Sequence, residues 1–381
     1  MTAAGLVFTN IHDAAIPELT RVRTIASVPF GCRYRLVDFI LSNMANADIT
    51  VIGLITHNNY QSLLDHIGTG KDWDLARRNG GIKILPPFIT AYENAVANKV
   101  YTSRLEALIG VMSFINHRTE DYFVLSDCDA VYNIDIADVL KKHEESGADV
   151  TIVAKEFPHD VKFISPHEEI IRFDENEKIY DIVKYSAHEC ENDENININM
   201  NVIVMSRSYL QNVLQDAAAR RYTSFYQDII SKHIKKDNYH VYRYDGVYAL
   251  ISSLESYYKS NMMLLRREVR DKLFGIADRP VYTKIKNSPP TKYTDGSNVK
   301  NSLVADGCVI SGTVEDSIIF RGVHVGEGTV VKSCILFQDT YVGNDAELTC
   351  VLTDKNVVIK DGRHLSGHSQ APFFIEKGKT L

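Results

Sequence analysis

The sequence predicts an α/β, Rossmann-like domain followed by a C-terminal parallel β-helix of hexapeptide-type repeats. Two observations carry this, and a third divides the chain. From Leu6 to about Leu265, short β-branched apolar runs alternate with segments of helical period, the order of a βαβ architecture. From Ser302 onward, short apolar motifs recur at intervals of 15, 17 and 16 residues with Gly, Asn and Asp at the corners, the pattern of stacked β-helix turns. Between them, 276–298 carries Pro280, Pro289 and Pro290 and little period of either kind, which marks a stiffened linker. The expected boundaries are 1–275, 276–298 and 299–381.

In chain order, Leu6 opens a first strand that runs into the loop Thr9–Ala15 and then an apolar helix-like segment containing Arg35 and Asp38. This is the layout of a first strand with a phosphate-binding loop, but the loop has no glycine. Without glycine, several backbone N–H groups cannot readily be turned toward one anion. Thr50–Thr56, Tyr122–Ser126, Asp149–Lys155 and Asn201–Met205 read as strands buried on both faces of a largely parallel sheet. Asp135–Ser146 has helical spacing with Gly147 as its stop, and Asp174–Asn201 reads as a hairpin with an exposed acidic loop. In the repeat region, Ser302, Ser317, Cys334 and Cys350 open successive motifs, so Cys334 and Cys350 are expected to stack as equivalent inward positions.

The 381 residues suffice for two cores, and a formal charge of −7 argues against a nucleic-acid partner. No apolar run reaches the length of a membrane span, and the N-terminus lacks the charged and apolar regions of a signal peptide. The six cysteines form no C-x-x-C, as expected of reduced thiols in a cytoplasmic protein.

Specific residues then narrow the class. Leu19-Thr20, Pro29-Phe30-Gly31, Arg35 to Phe39, Leu41-Ser42-Asn43, Gly70 to Leu75, Ile84 to Pro87, Tyr132 to Asp135 and Leu254 to Asn261 occur in one order ahead of the repeats. Over nearly its whole length the chain resembles the bacterial ADP-glucose pyrophosphorylase (glucose-1-phosphate adenylyltransferase) family. The resemblance implies a nucleotidyltransferase domain of GT-A-like form joined to a left-handed β-helix. It also implies a family chemistry in which ATP and glucose 1-phosphate give ADP-glucose and pyrophosphate with Mg²⁺. Such transfer asks the protein chiefly to position groups and neutralise charge.

Carried over residue by residue, much of that chemistry is missing. The three loop glycines fall on Asn10, Ile11 and Asp13, the loop arginine on Ala15, and the following lysine on Ile25. Asp13 is expected to set a negative charge where a phosphate would lie. The sugar-phosphate segments fall on Ser103 to Ala107 and on Val183 to Ser186, where the lysine position holds Tyr185 with Lys184 beside it. Of two metal carboxylates, Asp129 is retained, whereas the second position holds Leu250. Asp127 is the one candidate to replace it, so Asp127 and Asp129 are weak metal ligands, and no cofactor is expected with assurance. Losses at separate positions within an intact framework match the non-catalytic GlgD type of chain. Such chains accompany a catalytic GlgC-type subunit, which implies a regulatory or scaffolding role in a hetero-oligomer, a tetramer, in glycogen biosynthesis. The alternative is an active sugar-phosphate nucleotidyltransferase rebuilt around Asp127 and Asp129.

The resemblance also implies an anionic small-molecule effector between the domains, for which Arg23, Arg33 and Arg35 are the candidate ligands, set against a solvated face with an Arg35–Asp38 ion pair. Trp73 is expected to pack over the old active-site cleft. His12, His57, His66 and His117 read as surface or satisfied core residues. Association with other chains is expected through Ser302–Ile359. The stretch 367–381 has no assigned place.

Overall fold

The computed structural model describes residues 2–87, 101, 103–158, 168–186 and 195–381. In chain order the main elements of the first domain are β1 (Ala3–Phe8), α1 (Leu36–Asn46), β2 (Val51–Ile55), α2 (Gln61–Ile67), β3 (Gly81–Leu85), α3 (Arg104–Gly110), β4 (Tyr122–Asp127) and α4 (Ile136–Ser146). There follow β5 (Val150–Pro158), β6 (Glu169–Phe173), β7 (Ile179–Lys184), β8 (Asn195–Ser206), α5 (Arg207–Arg220), β9 (Tyr239–Arg243) and α6 (Leu254–Met262).

The strands form one nine-stranded sheet. Its middle is parallel: β1 lies between β2 and β4, and β3 continues beyond β2. Each of the four runs read as strands is one. Helix α4 begins at Asp135, whose side chain accepts from the Asp138 N–H at 3.0 Å, and ends at Gly147, which takes φ 60°, the left-handed stop that glycine tolerates best. The expectation of a largely parallel sheet needs correction. β8 runs antiparallel to β4 and β5, and β6 and β7 form an antiparallel hairpin. Among the described residues the chain between β5 and β8 holds no crossover helix, and without one the chain returns antiparallel. Within Asp174–Asn201, the turn Asp174–Lys178 joins the hairpin, and residues 187–194, with Cys190, lie outside the described residues.

After 276–291, which contain no regular element, the chain winds into three five-stranded parallel sheets, a left-handed β-helix. The first strand pair, Lys292–Tyr293 against Val309–Ile310, already takes in the end of the Pro-containing stretch. Leu303, Ile318, Ile335 and Leu352 occupy one register. The equivalents of Cys334 are therefore Ser302, Ser317 and Val351, and Cys350 is not among them. Cys350 takes the corner position with Asn301, Asp316 and Ser333, all at positive φ. The final stretch completes the coil: Phe373–Ile375 pairs with Val351–Thr353, and Lys379 and Leu381 exchange backbone hydrogen bonds with Val358 and Lys360.

The two domains share an apolar core. Leu19, Ile25, Phe30, Phe39 and Tyr257 pack in one cluster with Ile318, Phe320, Ile335, Phe337 and Leu352 of the coil. At about 1.5–3 kcal/mol for each fully buried large side chain, this cluster makes the coil part of the fold that holds Leu19–Asn43 in place. Polar ties cross the same boundary: Tyr258 Oη donates to the Ser333 carbonyl at 2.6 Å, and Arg23 pairs with Asp354.

Candidate functional site

At the C-terminal edge of the parallel strands, where ligands of α/β sheets bind, β4 ends on Asp127, and Asp129 follows two residues later. The loop after β1 faces them. Its shape comes from Asn10, which is buried. The Asn10 side-chain oxygen accepts from Thr56 Oγ1 at 2.7 Å and the His57 N–H at 3.1 Å, and its Nδ2 donates to Asp13 at 2.6 Å and the Asn58 carbonyl at 3.1 Å. The Asp13 and Ala15 N–H groups close turns onto the Asn10 and His12 carbonyls. A side-chain amide thus organises the loop, and those two N–H groups are consumed within it. Asp13 does not confront a phosphate, contrary to the sequence expectation; its carboxylate turns inward to accept from the Ile25 N–H at 2.7 Å. Burial raises Asp13 to about 6, against the hydrogen bonds from Asn10 and Ile25.

His12, read from sequence as an ordinary histidine, is the residue missed. Its Nε2 lies 2.7 Å from Asp127 Oδ2 and 3.4 Å from Asp129 Oδ2. Burial works against the imidazolium, but Asp129 and Asp127 outweigh it and raise His12 to about 9. Arg104, from the first turn of α3, also reaches Asp127 Oδ2. Ser103 caps that helix by accepting from the Glu106 N–H, and the guanidinium lies 5.5 Å from the Phe8 ring centroid and 5.2 Å from that of Tyr226. Burial would push Asp127 up, but Arg104 and His12 hold it below the usual carboxylate range. Burial raises Asp129 despite the pull of His12. The signal available in the sequence was a charge pattern: a cation at position 104 and an imidazole in the loop ahead of Asp127 and Asp129.

The lost positions fall close by or in core. Leu250 pairs with Ala130, one residue from Asp129, and packs among Tyr132 and Tyr248. Ile25 is buried in the interdomain cluster with Ala15 at its edge. Tyr185 packs on Ile170, Ile196 and Ile198, whereas Lys184 is exposed on β7.

A second cleft lies between the domains. Arg33, Arg35, Lys284, Lys286, Arg321 and Lys355 line it, and its described lining holds no carboxylate. Arg35 Nη1 donates to Ser62 Oγ at 3.0 Å and to the Ser62 carbonyl at 2.6 Å; burial lowers it to about 10 against the pull of Asp38. Asp38 takes the Arg35 backbone N–H at 3.0 Å and His66 Nε2 at 2.6 Å, so no Arg35–Asp38 side-chain pair forms among the described residues. Arg321 pairs with Asp306 at 3.0 Å. Burial, then Arg35 and Arg23, bring Lys355 down to about 7. Arg23 stands apart from Arg33 and Arg35. It is buried, and its Nη2 donates to both Asp354 oxygens at 2.9 and 2.8 Å, which ties the loop to the coil, while its Nη1 has no partner among the described residues. Trp73 does not lie over the carboxylates; it is buried with Leu63 and Leu75 and sets its ring edge-on to His66 at 5.6 Å.

The sequence offers Asp127 and Asp129 only as weak candidate ligands for the Mg²⁺ that the family resemblance implies. The residues present do not fit it. Asp127 Oδ2 is engaged by two cations, and Asp127 Oδ1 is the lone buried carboxylate oxygen left without a partner among the described residues. Mg²⁺ takes a near-octahedral oxygen shell, and Leu250 supplies none of it.

A Rossmann-like sheet ending in paired aspartates, fused to a hexapeptide coil, defines a protein of the nucleotidyltransferase class. The nucleotidyl transferase family model matches residues 16–266, and the GlmU-like C-terminal hexapeptide model matches 289–371. The glycogen biosynthesis protein GlgD of Bacillus subtilis is 33% identical over 376 residues, covering 98% of this chain and 95% of that protein. The glucose-1-phosphate adenylyltransferase of Geobacillus stearothermophilus is 34% identical over 314 residues, covering 80% and 77%, and that of Clostridium perfringens strain 13 is 28% identical over 342, covering 89% and 84%. The chain belongs to the glucose-1-phosphate adenylyltransferase family. No helix among the described residues is long and apolar enough to cross a membrane.

Proposed function

We propose that this chain is a catalytically deficient, regulatory and scaffolding subunit of a hetero-oligomeric, tetrameric glucose-1-phosphate adenylyltransferase, working in the cytoplasm in glycogen biosynthesis. Its partner is a catalytic subunit of the same family, which joins ATP and glucose 1-phosphate into ADP-glucose and releases pyrophosphate. The observation that carries this reading is the state of Asp127, whose Oδ2 is held by Arg104 and by His12 at 2.7 Å. An oxygen so engaged is already neutralised by the chain's own cations, and the loop arginine and following lysine are the apolar Ala15 and Ile25. The interdomain cleft supports the regulatory half. Six cations without a carboxylate in the described lining suit an anionic effector, with Arg33 and Arg35 as direct ligands and Arg23 fixing the wall behind them through Asp354.

The test is to purify the chain alone and with a catalytic subunit, and to measure ADP-glucose formation across a range of anionic effectors. The expected result is negligible turnover alone and an altered effector response in the complex. Turnover by the isolated chain comparable to that of the catalytic subunit overturns the deficient reading, and an unchanged effector response leaves scaffolding alone.

A further inference from the structure

We propose that Asp127 and Asp129 have their counter-charge built into the chain, in Arg104 and His12, and that this pair takes up no divalent metal. His12, Asp127 and Asp129 superficially make a metal-ligand set, since one ligand atom from each lies within 4.8 Å of the others. Their spacing says otherwise. Donors sharing a metal lie about 2.0–2.2 Å from the ion, so neighbouring donors stand about 2.9 Å or more apart around an octahedral ion and wider around a tetrahedral one. His12 Nε2 and Asp127 Oδ2 are instead 2.7 Å apart, which is the length of a direct charge-assisted hydrogen bond. The same oxygen receives the Arg104 guanidinium, a cation at every accessible pH.

Both cations are held in place. Arg104 is clamped by the rings of Phe8 and Tyr226, and its side chain is 10% exposed. His12 belongs to a loop pinned by Asn10 to Thr56, His57 and Asn58. A metal on Asp127 Oδ2 would have to displace both groups; one on the unpartnered Asp127 Oδ1 and Asp129 would sit beside the Arg104 guanidinium, with a leucine at position 250 in place of a further ligand. Glu168 and Glu169 line the same pocket as His12 and Arg104, so net charge does not decide the matter; what opposes a dication on Asp127 is the direct contact of that carboxylate with the Arg104 guanidinium. The pair thus fastens the loop after β1 to the end of β4, a mechanical tie made from residues that elsewhere in the fold would hold an ion.

The inference deepens the catalytically deficient reading, but its test reads metal binding and not turnover. The full chain is titrated with Mn²⁺ and with Zn²⁺ to about 1 mM, the concentration that half fills a 1 mM site, with free Mn²⁺ followed by electron paramagnetic resonance and the melting temperature followed for both ions. The expected result is no one-to-one site and a melting temperature unmoved by either ion or by chelator. The double variant His12→Ala, Arg104→Thr is expected to acquire a Mn²⁺ site at least about tenfold tighter than anything in the parent, abolished by adding Asp129→Asn. A one-to-one site in the unaltered chain that disappears with Asp127→Asn overturns the proposal. So does a folded double variant that gains no Mn²⁺ binding. If the double variant fails to fold, the melting temperature of the unaltered chain with and without Mn²⁺, Zn²⁺ and chelator decides the matter by itself.

Discussion

Removing Asp127 and Arg104 together should destabilise the first domain by clearly less than the two single removals combined. The Asp127 and Arg104 side chains are 1% and 10% exposed, so the pair is screened little by solvent. Asp127→Ala strands a buried guanidinium between Phe8 and Tyr226, and stranding one partner of a buried pair costs about 3–5 kcal/mol. Near 2 °C per kcal/mol for a unit of a few hundred residues, the melting temperature should fall by roughly 6–10 °C. Arg104→Met keeps much of the ring contact through a flexible thioether and leaves Asp127 its bond to His12, so its cost should be nearer 2 kcal/mol. In the double variant neither charge is stranded, and its loss should fall short of the sum by at least about 1.5 kcal/mol. Fluorescence of Trp73, the only tryptophan, reads the unfolding of this domain directly. If the two single losses add to the double within about 0.5 kcal/mol, the pair is uncoupled, and the account of a built-in counter-charge is refuted.

Three further outcomes follow from the same geometry. Asp354→Ala leaves buried Arg23 without its carboxylate and should cost about 3–5 kcal/mol; protease susceptibility between the domains should rise, and unchanged cleavage would show that the apolar cluster alone holds them. Sulfate, doubly charged across the range, should bind the interdomain cleft up to about tenfold more tightly at pH 6 than at pH 8, because Lys355 takes up its proton near pH 7. The sign is that of a lysine depressed in the fold: the free protein gains stability as pH rises from about 7 toward the unfolded value, and an anion reverses this by drawing the proton back. Lys355→Met should flatten the sulfate profile, and an unchanged slope assigns it to another group. Restoring the loop as Asn10→Gly, Ile11→Gly, Asp13→Gly and Ala15→Arg should not restore turnover, since Leu250 and the Arg104–Asp127 pair remain; robust ADP-glucose formation by that graft alone would sink the claim that the losses are independent.

The architecture was legible because it rests on periodicity. The β-branched runs, the Gly147 stop and the recurring apolar triplets each act through local backbone geometry. The antiparallel course of β8 was not legible, since its residues read alike in either direction and only the missing crossover decides. Nor was the register at Cys350, where a one-residue shift moves a side chain from the core to a corner that requires positive φ. Leu250 was found by its place in an ordered motif, and it lies beside Ala130 as that placement implies. His12 escaped because its meaning depends on partners at positions 127 and 129, more than a hundred residues away, and single residue types carry no such information. Arg23 was placed with the anion ligands through the family resemblance, and its carboxylate, Asp354, comes from the other domain, which no local pattern shows.

Why the aspartates remain at all is a question the packing answers. If the chain has given up metal-assisted chemistry, Asp127 and Asp129 would be expected to drift to apolar residues, because burying two carboxylates is costly without compensation. They are compensated by groups that themselves need them. Arg104 packs between two rings and is too buried to find water, and His12 anchors a loop with no glycine to make it pliable. Removing either aspartate alone exposes that dependence, so each substitution is resisted while the other members stay. The loop's other polar groups follow the same logic, with Asn10 spanning to Thr56 and His57, and Asp13 turned to the Ile25 N–H. Asp127 is thus held by the chain's own cations, and the segment Leu19–Asn43 behind it stays shaped to face the coil and the cationic cleft.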